Sequence, residues 1–305
     1  MCCFWQKACR DEVQTLFLPE SFRPRPKISL HHPSFRPAII GALAQNSALL
    51  TYRSVQIQDH FARLRNLIVF RWRAAQIGVR YSRGRCWQLP KRMRFQGGWF
   101  DLSTPNDQGS KIAFLDIFIA DVYGLRKHRP SIQTIVDVGA HVGFFSLHAK
   151  MVHPTATIHA YEPNPSLWPH LSSHASRAQF QAVASAVGLI GGRASLDFPG
   201  DSVLTQTRQD ETGRIKMTSF CDVVERIGGS VDLLKLDCEG AEWEILQDQQ
   251  SLKQVQMIVM EYHLLGKHTV SELAGQLQNN GFGIHLLAED HPTCGRVWAG
   301  RGGVG

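Results

Sequence analysis

The chain has 305 residues, 43% of them apolar and 19% charged, the makeup of a protein that can bury a core and not of a disordered one. Its net charge of +7 divides unevenly: residues 1–98 hold 17 Lys and Arg against 4 Asp and Glu, while residues 99–305 hold 16 against 22. The longer part is therefore mildly acidic and has no attraction for polyanions, so no nucleic-acid partner is expected.

The first ten residues lack the basic start and apolar stretch of a secretory signal. No apolar run reaches the ~18 residues of a spanning helix. Seven cysteines, at 2, 3, 9, 86, 221, 238 and 294, are dispersed without a CxxC pair. That pattern speaks for a reducing, cytoplasmic setting and against a disulfide framework or a zinc site. The Cys2-Cys3 doublet could be acylated, and His31-His32 has no ligand partner at useful spacing.

Residues 1–50 read as poorly ordered, because Pro19, Pro24, Pro26, Pro33 and Pro37 interrupt any helix. Between 55 and 81 the pattern changes. Phe61, Leu64, Ile68, Trp72, Ala75 and Val79 recur at helical spacing with Arg63, Arg65, Arg71 and Arg73 between them. Packing is the commoner use of such a stripe, so the expectation is a helix docked on the body with its arginines in solvent. Contact with a membrane surface or a partner is the alternative. Residues 1–98 are read as a basic extension and 99–305 as one catalytic domain.

From residue 112 the pattern becomes regular. A helical stretch over 112–125 precedes alternating strands and helices. Strands are expected at 134–138, 157–161, 181–187, 231–236, 257–261 and 283–287. Helices are expected at 143–151, 165–177, 222–227, 242–246 and 270–280. Such alternation means βαβ units and a doubly wound, mostly parallel sheet with a Rossmann-like arrangement.

The first strand ends in Asp137-Val138-Gly139-Ala140-His141-Val142-Gly143, a glycine turn opening a helix. In such a sheet the turn faces the ligand. A dinucleotide fingerprint starting at Gly139 needs glycines at 141 and 144, where His141 and Phe144 stand. Asp137 instead suits a cationic ligand such as S-adenosylmethionine and would repel a pyrophosphate. A turn-capping role for Asp137 is the plainer reading. Glu162, in Tyr161-Glu162-Pro163-Asn164, ends the second strand and suits ribose hydroxyls. A solvated loop acid is its plainer reading.

These segments resemble the FkbM-type methyltransferases, class I enzymes that use S-adenosylmethionine. The resemblance covers about 112–301. It is carried by VDVGAHVGFFS, by YEPNPSLWPHL, by Ala186-Val187-Gly188 with Gly192 and Leu196 after it, by VDLLKLDCEGAEWEIL at 231–246, by Met260-Glu261-Tyr262-His263 and by Gly281-Phe282. It implies a seven-stranded sheet, a cofactor site at Asp137, Gly139, Ala140, His141, Gly143, Glu162, Pro163, Ala186 and Val187, and O-methylation of a hydroxyl on a sugar, glycan or small metabolite. The chain departs from the family at His141, where Asn is usual, and at Leu189, where an acid or amide often reads the adenine edge.

Methyl transfer is a one-step displacement in which geometry does much of the work and a base assists an alcohol acceptor. Asp237 is the first candidate for base or acceptor positioning, His263 the second, and Glu239 a third that pairs with Lys235 or acts itself. Lys235 and Asp237 share one face of their strand. The structural readings are also open: Glu242 opens a helix, Glu261 is an ion-pair partner, and His263 is a satisfied surface histidine. A Mg²⁺ site of Asp237, Glu239 and Glu261 is conceivable, but no metal is expected. A nicotinamide-dependent oxidoreductase and a non-catalytic module tethered by its basic helix are the competing functions. The loops over 199–214 and 264–269 are expected to choose the acceptor.

Overall fold

The computed structural model describes residues 65–80, 88–105, 107–126, 132–197 and 206–302. The expectations for residues 1–50, for Phe61 and Leu64, and for the cysteine and histidine doublets lie outside these residues.

Residues 65–76 are helical. A hairpin follows, β1 (Arg92–Phe95) against β2 (Gly98–Asp101), with Arg94 opposite Trp99. Helix α1 (Gln108–Phe114) starts at Asp107, whose carboxylate accepts the Ser110 N–H. It continues as a π-helix over Leu115–Ala120 until Asp121 turns left-handed at φ 56°. Then β3 (Thr134–Val138), α2 (Phe144–Val152), β4 (Thr157–Tyr161), α3 (Trp168–Ala178) and β5 (Gln181–Val183) alternate. Four strands, β6 (Ala186–Gly188), β7 (Gly192–Asp197), β8 (Gln206–Gln209) and β9 (Ile215–Ser219), make a separate small sheet. The chain returns through α4 (Phe220–Arg226), β10 (Val231–Leu236), α5 (Glu242–Ile245), α6 (Gln249–Leu252), β11 (Val255–His263), α7 (Val270–Asn279), β12 (Gly283–His291) and β13 (Cys294–Gly300).

The main sheet has seven strands in the order β12-β13-β11-β10-β3-β4-β5. Only β13 runs antiparallel to its neighbours. The doubly wound, mostly parallel sheet expected from the sequence is therefore present. After β5 the chain crosses back to β10 on the other side of β3, so β3 and β10 flank the point where strand order reverses. Ligands bind at such a point, beyond the carboxyl ends of the strands.

Strand alternation divides the core in two. Ile135, Leu233 and Val259 face α1, α2 and α3 with Phe114, Phe118, Phe144 and Leu171. Val136, Val138, Leu234, Leu236, Ile258 and Met260 face α4, α6 and α7 with Phe220, Leu252, Leu273 and Leu277. Asp137, Lys235 and His263 have the parity of the first face, which fixes the side of the sheet on which the chemistry gathers.

Three expectations need correction. The third strand is not continuous: Ser185 Oγ reaches the Lys216 carbonyl (3.1 Å) and Thr218 Oγ1 (2.7 Å), drawing the chain into the small sheet after β5. The division expected at 98/99 falls inside the β1–β2 hairpin, and Ala74, Ile77, Met93 and Phe100 share one core with the body. The helix at 65–76 docks on the face opposite the expected one. Ala74 and Ile77 are buried and Arg73 Nη1 donates to the Ile119 and Ala120 carbonyls, each at 2.8 Å, whereas Ile68 (61%) and Trp72 (59%) face solvent. Two charge-assisted hydrogen bonds to the open carboxyl end of the π-helix, together with the burial of Ala74 and Ile77, set the face that docks. Among the described residues no helix is long and apolar enough to cross a membrane.

Candidate functional site

The loop from β3 to α2 is held by its own amides. Gly139 N–H and Ala140 N–H both donate to the Tyr161 carbonyl at 3.0 Å, and Gly143 N–H donates to the Ala140 carbonyl at 2.7 Å. His141 N–H donates to Glu162 Oε2 at 2.8 Å. These donors are spent on the fold, so the loop is not a phosphate cradle of the kind a dinucleotide needs. Gly139 sits at φ 74°, and a Cβ there would lie 1.8 Å from the Asp237 carbonyl oxygen. Glycine is therefore required by the close approach of the β10 end. His141 is left-handed at φ 53°, a region Asn and His enter more readily than most residues.

Glu162 is buried, with Oε1 accepting Asn164 N–H and Oε2 accepting His141 N–H, both at 2.8 Å. Burial pushes its carboxyl up to about 7 against these two donors. Each oxygen keeps a second lone pair for a ligand hydroxyl. Pro163 is half-buried beside it. Ala186 and Val187 lie buried in β6, part of the small sheet alongside Met217 and Thr218.

Asp137 is not open to solvent beside the loop. It is fully buried, accepts Ser146 Oγ–H at 2.7 Å, and pairs with Lys235 Nζ at 3.2 Å. The idea that a bare carboxylate selects a cationic coenzyme is thereby overturned, since the charge is neutralised beneath the loop. Lys235 is equally committed: Nζ donates to the Gly139 carbonyl (2.6 Å) and the Val138 carbonyl (3.2 Å) and stands 3.6 Å from Asp237 Oδ2. Burial works to lower its pKa, but Asp137 and Asp237 raise it overall. Such a cation positions the β3 and β10 ends and supplies no base.

Beyond β10 and β11 three side chains converge. Asp237, Glu239 and His263 each offer an atom within 4.8 Å of the others. Tyr123 OH donates to Asp237 Oδ2 at 3.0 Å. Burial raises the Asp237 carboxyl, yet Lys235, His263 and the Tyr123 hydroxyl hold it at about 2. Glu239 is left-handed at φ 54° with Oε2 3.4 Å from His263 Nε2. Burial and the Asp237 charge push its carboxyl to about 7. His263, 4% exposed, has Nδ1 3.3 Å from Glu242 Oε1. Burial would lower this imidazole, but Glu242 and Glu239 raise it to about 9.

Glu242, read from sequence as a helix opener, has a larger part. Oε1 accepts Cys238 N–H at 2.9 Å and Oε2 accepts Gly240 N–H at 2.7 Å. One carboxylate thus shapes the 238–240 turn and orients the His263 ring. Trp243 Nε1 donates to the His263 carbonyl at 2.8 Å and ties the end of β11 to α5. Glu261 is buried on β11 opposite Arg296 and is not among the three converging groups.

Two further groups were not foreseen. Asp116, on the π-helix, is pushed up to about 6 by burial together with Asp290 and Asp237, against Arg296. Arg296 makes a two-pronged pair with Asp290 at 2.6 and 2.9 Å. No spacing in the sequence signals Tyr123 or Asp116, because Tyr123 touches Asp237 across 114 residues and Asp116 acts on it only through space.

Residues 137–284 match the family model described as the methyltransferase FkbM domain. The methyltransferase sdnD of Sordaria araneosa is 28% identical over 195 residues, covering 50% of this chain and 74% of that protein. The 31-O-demethyl-FK506 methyltransferase FkbM of Streptomyces tacrolimicus is 25% identical over 201 residues, covering 52% and 75%. The hexuronic acid methyltransferase AglP of Haloferax volcanii is 29% identical over 135 residues, covering 42% and 54%.

Proposed function

This chain carries an FkbM-type methyltransferase domain and is an S-adenosylmethionine-dependent methyltransferase, and we propose that its acceptor is a hydroxyl oxygen on a sugar, glycan or small metabolite. The single observation that carries the acceptor assignment is the meeting of Asp237, Glu239 and His263 beside the Gly139 loop, at the point where strand order reverses. The acceptor oxygen attacks the methyl carbon, the carbon–sulfur bond breaks, S-adenosylhomocysteine leaves, and the hydroxyl proton passes to a carboxylate of this cluster and on to water. A pocket of carboxylates and one imidazole suits an oxygen that arrives as a hydroxyl and must shed a proton. Two relatives bear names that point to oxygen-rich substrates, an O-demethyl compound and a hexuronic acid.

In this reading the Gly139–Gly143 loop and Glu162 hold the cofactor, with Glu162 on the ribose hydroxyls. Pro163, Ala186 and Val187 shape its surroundings. Asp137 and Lys235 position the loop from below. Asp237, His263 and Glu239 meet the acceptor. The catalytic unit takes in the β1–β2 hairpin as well as residues 99–305. The dispersed cysteines fit work in the cytoplasm. Contact with an anionic membrane surface would use Ile68 and Trp72, flanked by exposed Arg65 and Arg71.

The test is transfer of a labelled methyl group to a panel of glycans and polyhydroxylated metabolites, beside calorimetry with S-adenosylhomocysteine. Labelled O-methyl product, lost in Asp237→Ala, is expected. Label found only on nitrogen or carbon of the product would sink the hydroxyl assignment.

A further inference from the structure

We propose that Asp237, Glu239 and His263 hold a divalent cation against which the acceptor oxygen is laid. This deepens the reading of the cleft as an acceptor site and rests on it.

The donor atoms lie within 4.8 Å of one another. Three atoms as much as 4.8 Å apart lie no more than about 2.8 Å from a common centre, so closing to bonds of about 2.1–2.2 Å needs each to move by up to roughly 0.6 Å. Three protein ligands leave coordination positions open for water or an acceptor oxygen, as catalytic sites require and structural sites do not.

The imidazole is the second observation. His263 is almost wholly buried, and its Nε2 has no hydrogen-bond partner among the described residues. Its neighbour there is Glu239 Oε2, at 3.4 Å. On the other side Nδ1 faces Glu242 Oε1 at 3.3 Å, and the Glu242 carboxylate is pinned by the amides of Cys238 and Gly240. That arrangement keeps a proton on Nδ1 and turns Nε2 to the cluster, where an ion would take the place of the second proton. A carboxylate behind a histidine is the usual support of a metal-bound imidazole. Glu239 is kept in the left-handed region at φ 54°, which costs energy for a non-glycine residue and places its carboxylate beside Nε2.

Charge agrees. Once an ion has taken the place of the Nε2 proton, the two carboxylates and the imidazole carry two negative charges, the complement of a divalent ion. The nearby cation, Lys235, is taken up by Asp137 and the carbonyls of Val138 and Gly139. Tyr123 and Lys235 both engage Oδ2 of Asp237, which leaves Oδ1 for a ligand. Two oxygens and one nitrogen suit Mn²⁺ better than Mg²⁺, which prefers oxygen throughout. The three ligands are not those suggested by the sequence, since His263 stands where Glu261 was considered. Bound there, the ion would draw electron density from an acceptor hydroxyl and lower its pKa.

The experiment uses the full chain, stripped with chelator, and follows Mn²⁺ uptake by electron paramagnetic resonance with S-adenosylhomocysteine affinity measured in the same samples. One Mn²⁺ per chain is expected. Uptake should weaken at least 10-fold in Glu239→Gln and His263→Gln, and by about 10–100-fold in Glu242→Gln, with S-adenosylhomocysteine affinity unchanged within threefold. Failure of the wild-type chain to take up Mn²⁺ while binding S-adenosylhomocysteine overturns the metal site and leaves the methyltransferase reading standing. Equal Mn²⁺ affinity in Glu239→Gln and His263→Gln overturns it as well. Loss of S-adenosylhomocysteine binding by the wild-type chain counts against the cofactor site itself.

Discussion

Lys235 Nζ lies 3.2 Å from Asp137 Oδ1, with the two residues paired in register across the parallel strands β10 and β3. Both side chains are buried, so neither charge has water to fall back on. Removing one partner strands the other, at a cost of about 3–5 kcal/mol, whereas removing both is milder. Lys235→Met should lower the urea midpoint accordingly, and the double variant Asp137→Asn/Lys235→Met should recover part of the loss. A double variant as unstable as the sum of the two singles would mean that the pair is not coupled.

Gly139→Ala tests the close approach of the two strand ends. The added methyl would sit 1.8 Å from the Asp237 carbonyl oxygen, in a left-handed backbone position that disfavours alanine. Backbone, unlike a flexible side chain, cannot step aside. The variant should bind S-adenosylhomocysteine at least ~100-fold more weakly, about 2.7 kcal/mol. Calorimetry showing wild-type affinity would disprove the contact.

Cofactor affinity should depend on pH through Glu162. Burial holds its carboxyl at about 7, and in the proposed ribose-binding role the ionised form is the stronger acceptor. Above pH 7 it is ready to bind. Below pH 7 each unit costs up to tenfold in affinity, about 1.4 kcal/mol. Glu162→Gln should bind more weakly at pH 8 and lose this slope between pH 7 and 5. Parallel slopes in wild type and variant would assign the titration to another group.

Acid stability should be governed by two buried histidines. His174 Nδ1–H donates to the Val142 carbonyl and Nε2 accepts the Ser103 amide, which fixes a neutral ring. His148 Nε2 accepts from Arg126 Nε at 3.2 Å. Burial lowers His174 to about 4, and burial with Arg126 and Arg73 lowers His148 to about 3. A depressed histidine gives stability that is present above its unfolded pKa of about 6.5 and is lost as pH falls towards the folded value. Each ring accounts for roughly 3 kcal/mol across that window. Unfolding free energy should therefore fall from pH 6.5 to 4, less steeply in His174→Gln. Flat stability over that range would contradict the neutral assignment.

Much of the architecture was legible because periodicity is local. Strand β10 was bounded at Val231 and Leu236, β3 at Thr134 and Val138, and β4 at Thr157 and Tyr161, since short apolar runs between helical stretches leave little choice. Strand β13 was not, because Cys-Gly-Arg-Val-Trp-Ala-Gly has no clean alternation and earns its place by pairing on both edges. The stripe at Ile68 and Trp72 shows the same limit. Spacing located the helix, but the hydrogen bonds of Arg73 to a π-helix some 46 residues later decided which way it faces.

What the sequence by itself determined is the order of the elements and the identity of the residues at the strand ends, because side-chain alternation and turn chemistry act over a few residues. What only the tertiary structure decided is the state of those residues. Asp137 became a buried partner and not a ligand-facing charge, Glu242 became the brace of His263, and Tyr123 came to rest on Asp237. Burial, hydrogen bonding and neighbouring charge depend on which distant segments meet, and that is settled by folding the whole sheet.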